Sequence, residues 1–297
     1  MEPTRNVAWS AFQQTERLTT RIHNILNDYP PGVTVLREFL QNADDAKADT
    51  FHVCLDCRTN QYSTDKLLSE GLKQYYTGPS IFVYNSAVFS ENDFESLISI
   101  GNSGKKKDSD TIGRYGLGFN ASFHLTDMVS FISGDDLVMF DPHGKSLPNG
   151  VLGLRSKWAE LEQSNDFRDT VLPFTLGATT AFSKVCSHED SKQFLLKNGT
   201  VFRLPLRTIE QGRDSLLSHE STSVTEAQNM IQNFCKNATE ALLFLKNVQN
   251  ISVTIIMDDG NVKVLQETSL SDCIDLSSPR GIGQDSNPRC SLRNYIE

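Results

Sequence analysis

The stretch Leu36-Arg37-Glu38-Phe39-Leu40-Gln41-Asn42-Ala43-Asp44-Asp45-Ala46 limits what this chain can fold into more than any other. Leu36, Leu40 and Ala43 recur at three- and four-residue spacing, the mark of a helix with one buried face. On a neighbouring face Glu38 and Asn42 stand at i and i+4, and Asp45 at i+7 extends that polar stripe. Such a segment is a helix laid on a core, with a carboxylate and an amide held side by side along its edge. A glutamate can polarise a water, and an asparagine oxygen is a hard ligand suited to Mg²⁺. Alone, the pattern is also that of any solvated helix face, so its meaning depends on what the rest of the chain brings to it.

The second feature is Gly113-Arg114-Tyr115-Gly116-Leu117-Gly118-Phe119-Asn120-Ala121. Its glycines remove Cβ atoms where a backbone must approach a ligand or take a positive φ. The residues from Phe119 to Leu125 read as the opening of a helix, and glycines leading into a helix N-terminus direct free N–H groups and a positive dipole end at an anion. The GxxGxG order is the reverse of the dinucleotide fingerprint, and no short apolar strand precedes it directly. Gly104-Lys105-Lys106 does not complete a P-loop, because no Ser or Thr follows the lysine in the required place. A glycine-rich turn with no ligand remains open for this segment taken by itself; beside the carboxylate–amide helix it reads as a nucleotide site.

These two boxes and the later Gly199-Thr200 resemble the ATP-binding signature of the GHKL superfamily, and their wording is similar to that of the sacsin family and its heat-shock-protein-90-like domains. Further stretches carry the likeness: Leu18-Thr19-Thr20-Arg21-Ile22 with Ile25-Leu26 and Tyr29-Pro30, Thr200 to Arg207, and Leu242 to Val248. Together they span residues 11–257. The resemblance implies ATP and Mg²⁺ as cofactors, Glu38 as the general base for the attacking water, and Asn42 as the metal ligand. It implies that Asp45 extends the ligand-facing stripe, that Gly113, Gly116, Leu117, Gly118 and Phe119 line the phosphate loop, and that Thr200 sits near the adenine. Phosphoryl transfer relies on positioning and charge neutralisation more than on covalent chemistry, so these residue types suit it.

One departure stands out. The family places an Asp-x-Gly element between the boxes, its aspartate accepting a hydrogen bond from the adenine amino group. Here the region is Ile81-Phe82-Val83-Tyr84-Asn85-Ser86-Ala87-Val88-Phe89-Ser90, with neither residue. Asn85 or Ser86 offers a neutral acceptor instead, at an expected loss of roughly 1–2 kcal/mol in adenine affinity. An ordinary buried strand end fits the same residues. The polar stretch 99–112 corresponds to the mobile lid of the superfamily; Lys105, with its two lysine neighbours, is the group expected to meet phosphate charge on closure, and a solvated loop is the alternative.

A formal net charge of −9 excludes a general nucleic-acid or anionic-membrane surface, and no apolar run reaches the length of a membrane span. Met1-Glu2-Pro3-Thr4-Arg5 is no signal peptide, so a cytoplasmic protein is expected. Cys54-Leu55-Asp56-Cys57 lacks the second ligand pair of a zinc site and reads as structural thiols in a strand. His23 precedes the boxes on a helical pattern, as a phospho-acceptor histidine of a histidine kinase would, but a lone helical histidine is more often structural.

The coarse pattern predicts helices over 11–28, 33–47 and 223–247. It predicts strands over 50–58, 81–85, 128–133, 136–141, 177–183, 199–206, 250–257 and 262–267, with surface helix and loop over 151–174. The expected fold is an α/β two-layer sandwich of the Bergerat (GHKL) type: a mixed, mainly antiparallel sheet covered by helices on one face. Residues 1–268 are expected to form the ATP-binding domain, and 269–297 an extension or linker toward a following domain of a longer polypeptide. The function this implies is a sacsin-like chaperone ATPase module that hydrolyses Mg·ATP slowly to drive a conformational cycle, with protein clients or co-chaperones as partners. The alternative is a non-catalytic scaffold that keeps the fold.

Overall fold

The computed structural model describes residues 16–99, 115–183, 196–270 and 292–295, with the backbone alone at 99, 115–117 and 292–295. Helix α1 (Leu18–Asp28) leads through Tyr29-Pro30-Pro31-Gly32 into α2 (Val33–Asp45). Gly32 has φ 88°, a left-handed conformation that only glycine adopts without cost, so the chain turns sharply there and α2 starts in a new direction.

Among the described residues nine strands form one sheet: β1 (Thr50–Asp56), β2 (Ser80–Asn85), β3 (Val129–Ser133), β4 (Asp136–Phe140), β5 (Gly153–Lys157), β6 (Thr200–Pro205), β7 (Asn250–Ile256), β8 (Val262–Leu270) and β9 (Leu292–Tyr295). The spatial order is β5-β4-β3-β6-β2-β1-β7-β8-β9. β1 and β7 run parallel; every other neighbouring pair is antiparallel. The expected mixed, mainly antiparallel α/β sandwich is therefore the architecture.

The central strands are buried on both faces, and their alternation sorts side chains between two cores. Phe51, Val53 and Leu55 of β1 and Phe202 and Leu204 of β6 face a core built with α1, α2, α3 (Glu91–Ser99), α4 (Tyr115–Asn120) and α8 (Val224–Leu242). Helices α5 (Trp158–Gln163), α6 (Thr179–Phe182) and α7 (Ile209–Asp214) are short. Cys54, Phe82, Tyr84 and Val201 face a second core, closed by Trp158, Phe174, Phe182 and the 3-10 turn Glu70–Tyr75. Thus the longer helices occupy one face, and short helices and loops seal the other. Burial pushes the Cys54 thiol up to about 12, far from the reactive range.

Two segments differ from expectation. Residues 177–183 are helical, a π-helical turn over Pro173–Ala178 running into α6. Phe174, Ala178, Ala181 and Phe182 are buried at i, i+4, i+7 and i+8, a helical period that the β-branched Thr179-Thr180 disguises. Residues 153–157, expected as helix or loop, form strand β5, which pairs along β4 with no fully buried face and so carries little apolar signal. No described helix is long and apolar enough to cross a membrane.

Candidate functional site

Helix α2 buries Val35, Leu36, Phe39, Leu40 and Ala43, with the Phe39 ring 4.9 Å from that of Phe202 on β6. That packing fixes the rotation of the helix and leaves Glu38 and Asn42 half-buried along its edge. Gly118, on α4, comes directly against them. A Cβ built at Gly118 would lie 2.5 Å from Glu38 Oε2 and 3.4 Å from Asn42 Nδ2. The glycine box and the carboxylate–amide pair, some seventy residues apart in the chain, therefore meet, and the missing side chain is what lets them. Burial raises the Glu38 carboxyl above its ordinary value of 4.5. Its carboxylate is consequently a better proton acceptor than an exposed glutamate.

Beside this pair lies a small cavity lined by Asn42, Asn85, Phe89, Asp93, Phe119 and Phe202, among others. Phe119 lines the cavity, its ring 5.5 Å from Phe140 and 6.3 Å from Phe202. Asn85 also lines it, but its Oδ1 accepts the Ala87 N–H at 3.0 Å. Ser86 is not brought to the cavity. Its hydroxyl accepts from the Asp49 and Thr50 backbone N–H groups and donates to Asp49 Oδ1 at 2.6 Å, holding that carboxyl below the usual range.

Thr200 is fully buried and does not line the cavity. Its Oγ1 donates to the Ala87 carbonyl at 2.7 Å and lies 2.7 Å from Ser133 Oγ, which in turn accepts the Phe89 N–H at 2.8 Å. A threonine hydroxyl has one hydrogen to give, and here it is given to the backbone. The neighbouring Gly199 is needed for close approach: a Cβ there would meet the Tyr84 ring and lie 2.5 Å from the Asn85 carbonyl oxygen.

Asp45 likewise stays outside the cavity lining, whereas the unremarked Asp44 has a clear task. Buried at the end of α2, its carboxylate accepts the N–H groups of Lys246, Asn247 and Val248 at 2.6–3.1 Å and so ties α2 to the turn after α8. Arg207 is a second anchor. Its guanidinium holds Asp127 and the carbonyls of Phe123, His124 and Thr126, the segment that follows the glycine helix. His23 donates through Nδ1–H to the Leu217 carbonyl, 2.9 Å away, a structural tie. Gly116 and Leu117 lie in α4 with only their backbone described, and Lys105 and Gly113 lie outside the described residues.

Two site residues escaped sequence reading for different reasons. Phe89 follows a strand and carries no periodic signal. Asp93 is announced by the Ser90-x-x-Asp93 capping pattern, and its Oδ2 accepts from the Ser90 N–H and Oγ at 2.8 and 2.7 Å. It opens α3.

The α2 end fits a metal-bound phosphate chain: an asparagine oxygen for the cation, a basic carboxylate, and a cradle that any Cβ at Gly118 would fill. The other end does not fit a nucleobase as it stands. The cavity measures about 30 Å³, room for two or three waters at most, against about 300–1,000 Å³ for ligand pockets. Phe89 is among the residues that wall it, with its ring 5.1 Å from Phe131, 5.4 Å from Phe94 and 6.2 Å from Phe202. A larger opening of about 730 Å³ adjoins it between α1, α3, α4 and the β4–β5 edge, sharing Leu97 and Phe119. It lacks the carboxylate–amide pair, and the chain before Glu16 and after Ser99 at its rim lies outside the described residues.

The family model described as the Sacsin domain matches residues 15–268. Sacsin of Homo sapiens is 35% identical over 243 residues, which is 82% of this chain and 5% of that protein. The chain therefore spans a small fraction of that relative's length.

Proposed function

The chain belongs to the Sacsin domain family, and from that premise we propose that it is a nucleotide-binding module in which α2 carries the chemistry. The observation that supports this reading is the seating of Gly118 against Glu38 and Asn42. Asn42 would hold Mg²⁺ through its side-chain oxygen, and the backbone at Gly118 would line the phosphates. The bound cation and phosphates would supply charge neutralisation. Glu38 would take a proton from water on its carboxylate, a task for which burial suits it by raising its proton affinity toward the working pH. The rigid helix keeps the carboxylate and amide in fixed relation, as positioning demands. In this reading slow hydrolysis drives a conformational cycle in a chaperone-like assembly with protein partners.

Titration of Mg·ATP into the chain by calorimetry tests the proposal. Saturable binding is expected. Asn42→Ala should remove its Mg²⁺ dependence, while Glu38→Ala should keep binding and lose turnover. Silence with both ATP and ADP overturns the reading. The second reading, a scaffold without turnover, is favoured by the cavity of about 30 Å³ and the phenylalanines packed around it. That same silence is its expected result.

A further inference from the structure

The β2–α3 loop, Ser86 to Ser90, is tied to the sheet by a hydrogen-bond relay that begins and ends within the loop itself. The Phe89 N–H donates to Ser133 Oγ at 2.8 Å; Ser133 and Thr200 meet at 2.7 Å; Thr200 Oγ1 donates to the Ala87 carbonyl at 2.7 Å. Because the Thr200 hydrogen is used on the carbonyl, Ser133 is the donor in the middle link, and the relay has one direction. Both hydroxyls are buried, at 1% and 0% exposure, so water does not compete for them. The bonds place the Phe89 ring among Phe94, Phe131 and Phe202, beside Asn42. A planar aromatic group of the chain itself therefore walls the same small cavity as Asn42 and Asn85, the residue that the family resemblance would set against a base.

We propose that Ser133 and Thr200 are positioning residues that latch Phe89 into the cavity, and that the site admits a nucleobase only when this latch releases. Thr200 then acts on the loop and not on the ligand. The proposal rests on the nucleotide reading of the cavity and adds a gate to it. A consequence is quantitative: if only the unlatched state binds, the apparent affinity is the intrinsic one scaled by the unlatched fraction. The same fraction sets amide exchange at Phe89 when exchange proceeds through local opening. Weakening the latch must move both by the same factor.

The test is hydrogen exchange over residues 86–90 of the full chain, together with Mg·ATP titration, for the parent, Thr200→Val and Ser133→Ala. Thr200→Val is the cleaner variant, since it leaves the Phe89 N–H its Ser133 acceptor. Loss of the bond from Thr200 to the Ala87 carbonyl, together with the Ser133–Thr200 link, is expected to speed exchange in the loop at least about tenfold and to tighten Mg·ATP binding by the same factor, with exchange in β3 and β6 unchanged. Phe89→Ala, which empties the cavity without touching the hydroxyls, is expected to tighten binding as well and serves if a latch variant fails to fold. Weaker Mg·ATP binding in Thr200→Val with unchanged loop exchange overturns the latch and makes Thr200 a ligand contact. Faster loop exchange with no binding in any variant overturns the nucleotide reading and, with it, the gate. Unchanged binding beside faster exchange also overturns the gate, because Phe89 would then not occupy the ligand's space.

Discussion

The two ends of the cavity beside α2 are made of different materials. At one end, Glu38 and Asn42 ride on a single helix whose buried stripe fixes its orientation, and a glycine opposite leaves them room. At the other, Asn85 and Phe89 sit at a strand end and on a loop whose hydrogen bonds are largely internal to the fold. Polar residues on the helix edge keep side-chain capacity for a ligand. Polar residues on the loop spend theirs on the backbone, because a turn must satisfy its own N–H and C=O groups before it can serve anything else. On the proposed reading, chemistry would be carried on a rigid element and access controlled by a neighbouring loop.

The sharpest way to break this contrast is Glu38→Ala. Loss of a general base lowers turnover about 10²–10⁴-fold, measured as phosphate release from Mg·ATP, and should leave the melting temperature no lower, since burial disfavours the ionised carboxylate that the substitution removes. Unchanged turnover would remove the chemical end from the comparison.

The two glycines give a matched pair. Gly199→Ala drives a Cβ into the Asn85 carbonyl and the Tyr84 ring, neither of which can swing aside. A loss of about 1–3 kcal/mol in unfolding free energy is expected from such overpacking, read by denaturant titration. Gly118→Ala meets the mobile tip of Glu38 instead. It should cost less than about 1 kcal/mol in stability, yet lower turnover by displacing the carboxylate. If the two variants lose stability equally, the ends are not built differently.

The smallest effect is a pH dependence. The folded chain holds the Glu38 proton more tightly than an unfolded chain does, because burial raises its pKa above 4.5. The ionised form therefore opposes folding above the folded-state pKa, and that opposition fades as pH falls toward and below 4.5. Glu38→Gln should be slightly more stable than the parent at neutral pH and equal to it in acid. The reverse trend would mean that an unrecognised partner stabilises the carboxylate.

How far the site could be read in advance follows from the range of each interaction. Glu38, Asn42 and the buried stripe of α2 were legible because i, i+4 geometry is a property of the helix alone. Gly118 was legible as a close approach, expected toward phosphate by family resemblance, but that it comes against Glu38 and Asn42 only the fold shows. Thr200 was expected near the adenine from family resemblance, but its hydroxyl partners, Ser133 and Ala87, lie 67 and 113 residues away in the chain and could not be foreseen. Asp44 and Asp45 could not be told apart as neighbours on one helix; only the turn after α8, some two hundred residues on, makes Asp44 an anchor.

By itself, then, the amino-acid order determined the family, the α/β class, the amphipathic faces of α1, α2 and α8, and most strands, since each rests on short-range periodicity or on boxes in sequence. The tertiary structure alone decided the parallel pairing of β1 with β7, the helical state of 177–183, the pairing of β5 as a strand, and the seating of Phe89 in the cavity. The physical reason is common to all four. A hydroxyl, a ring or a strand edge has several partners of equal chemical merit along the chain, and packing selects among them only once the sheet has brought distant segments together.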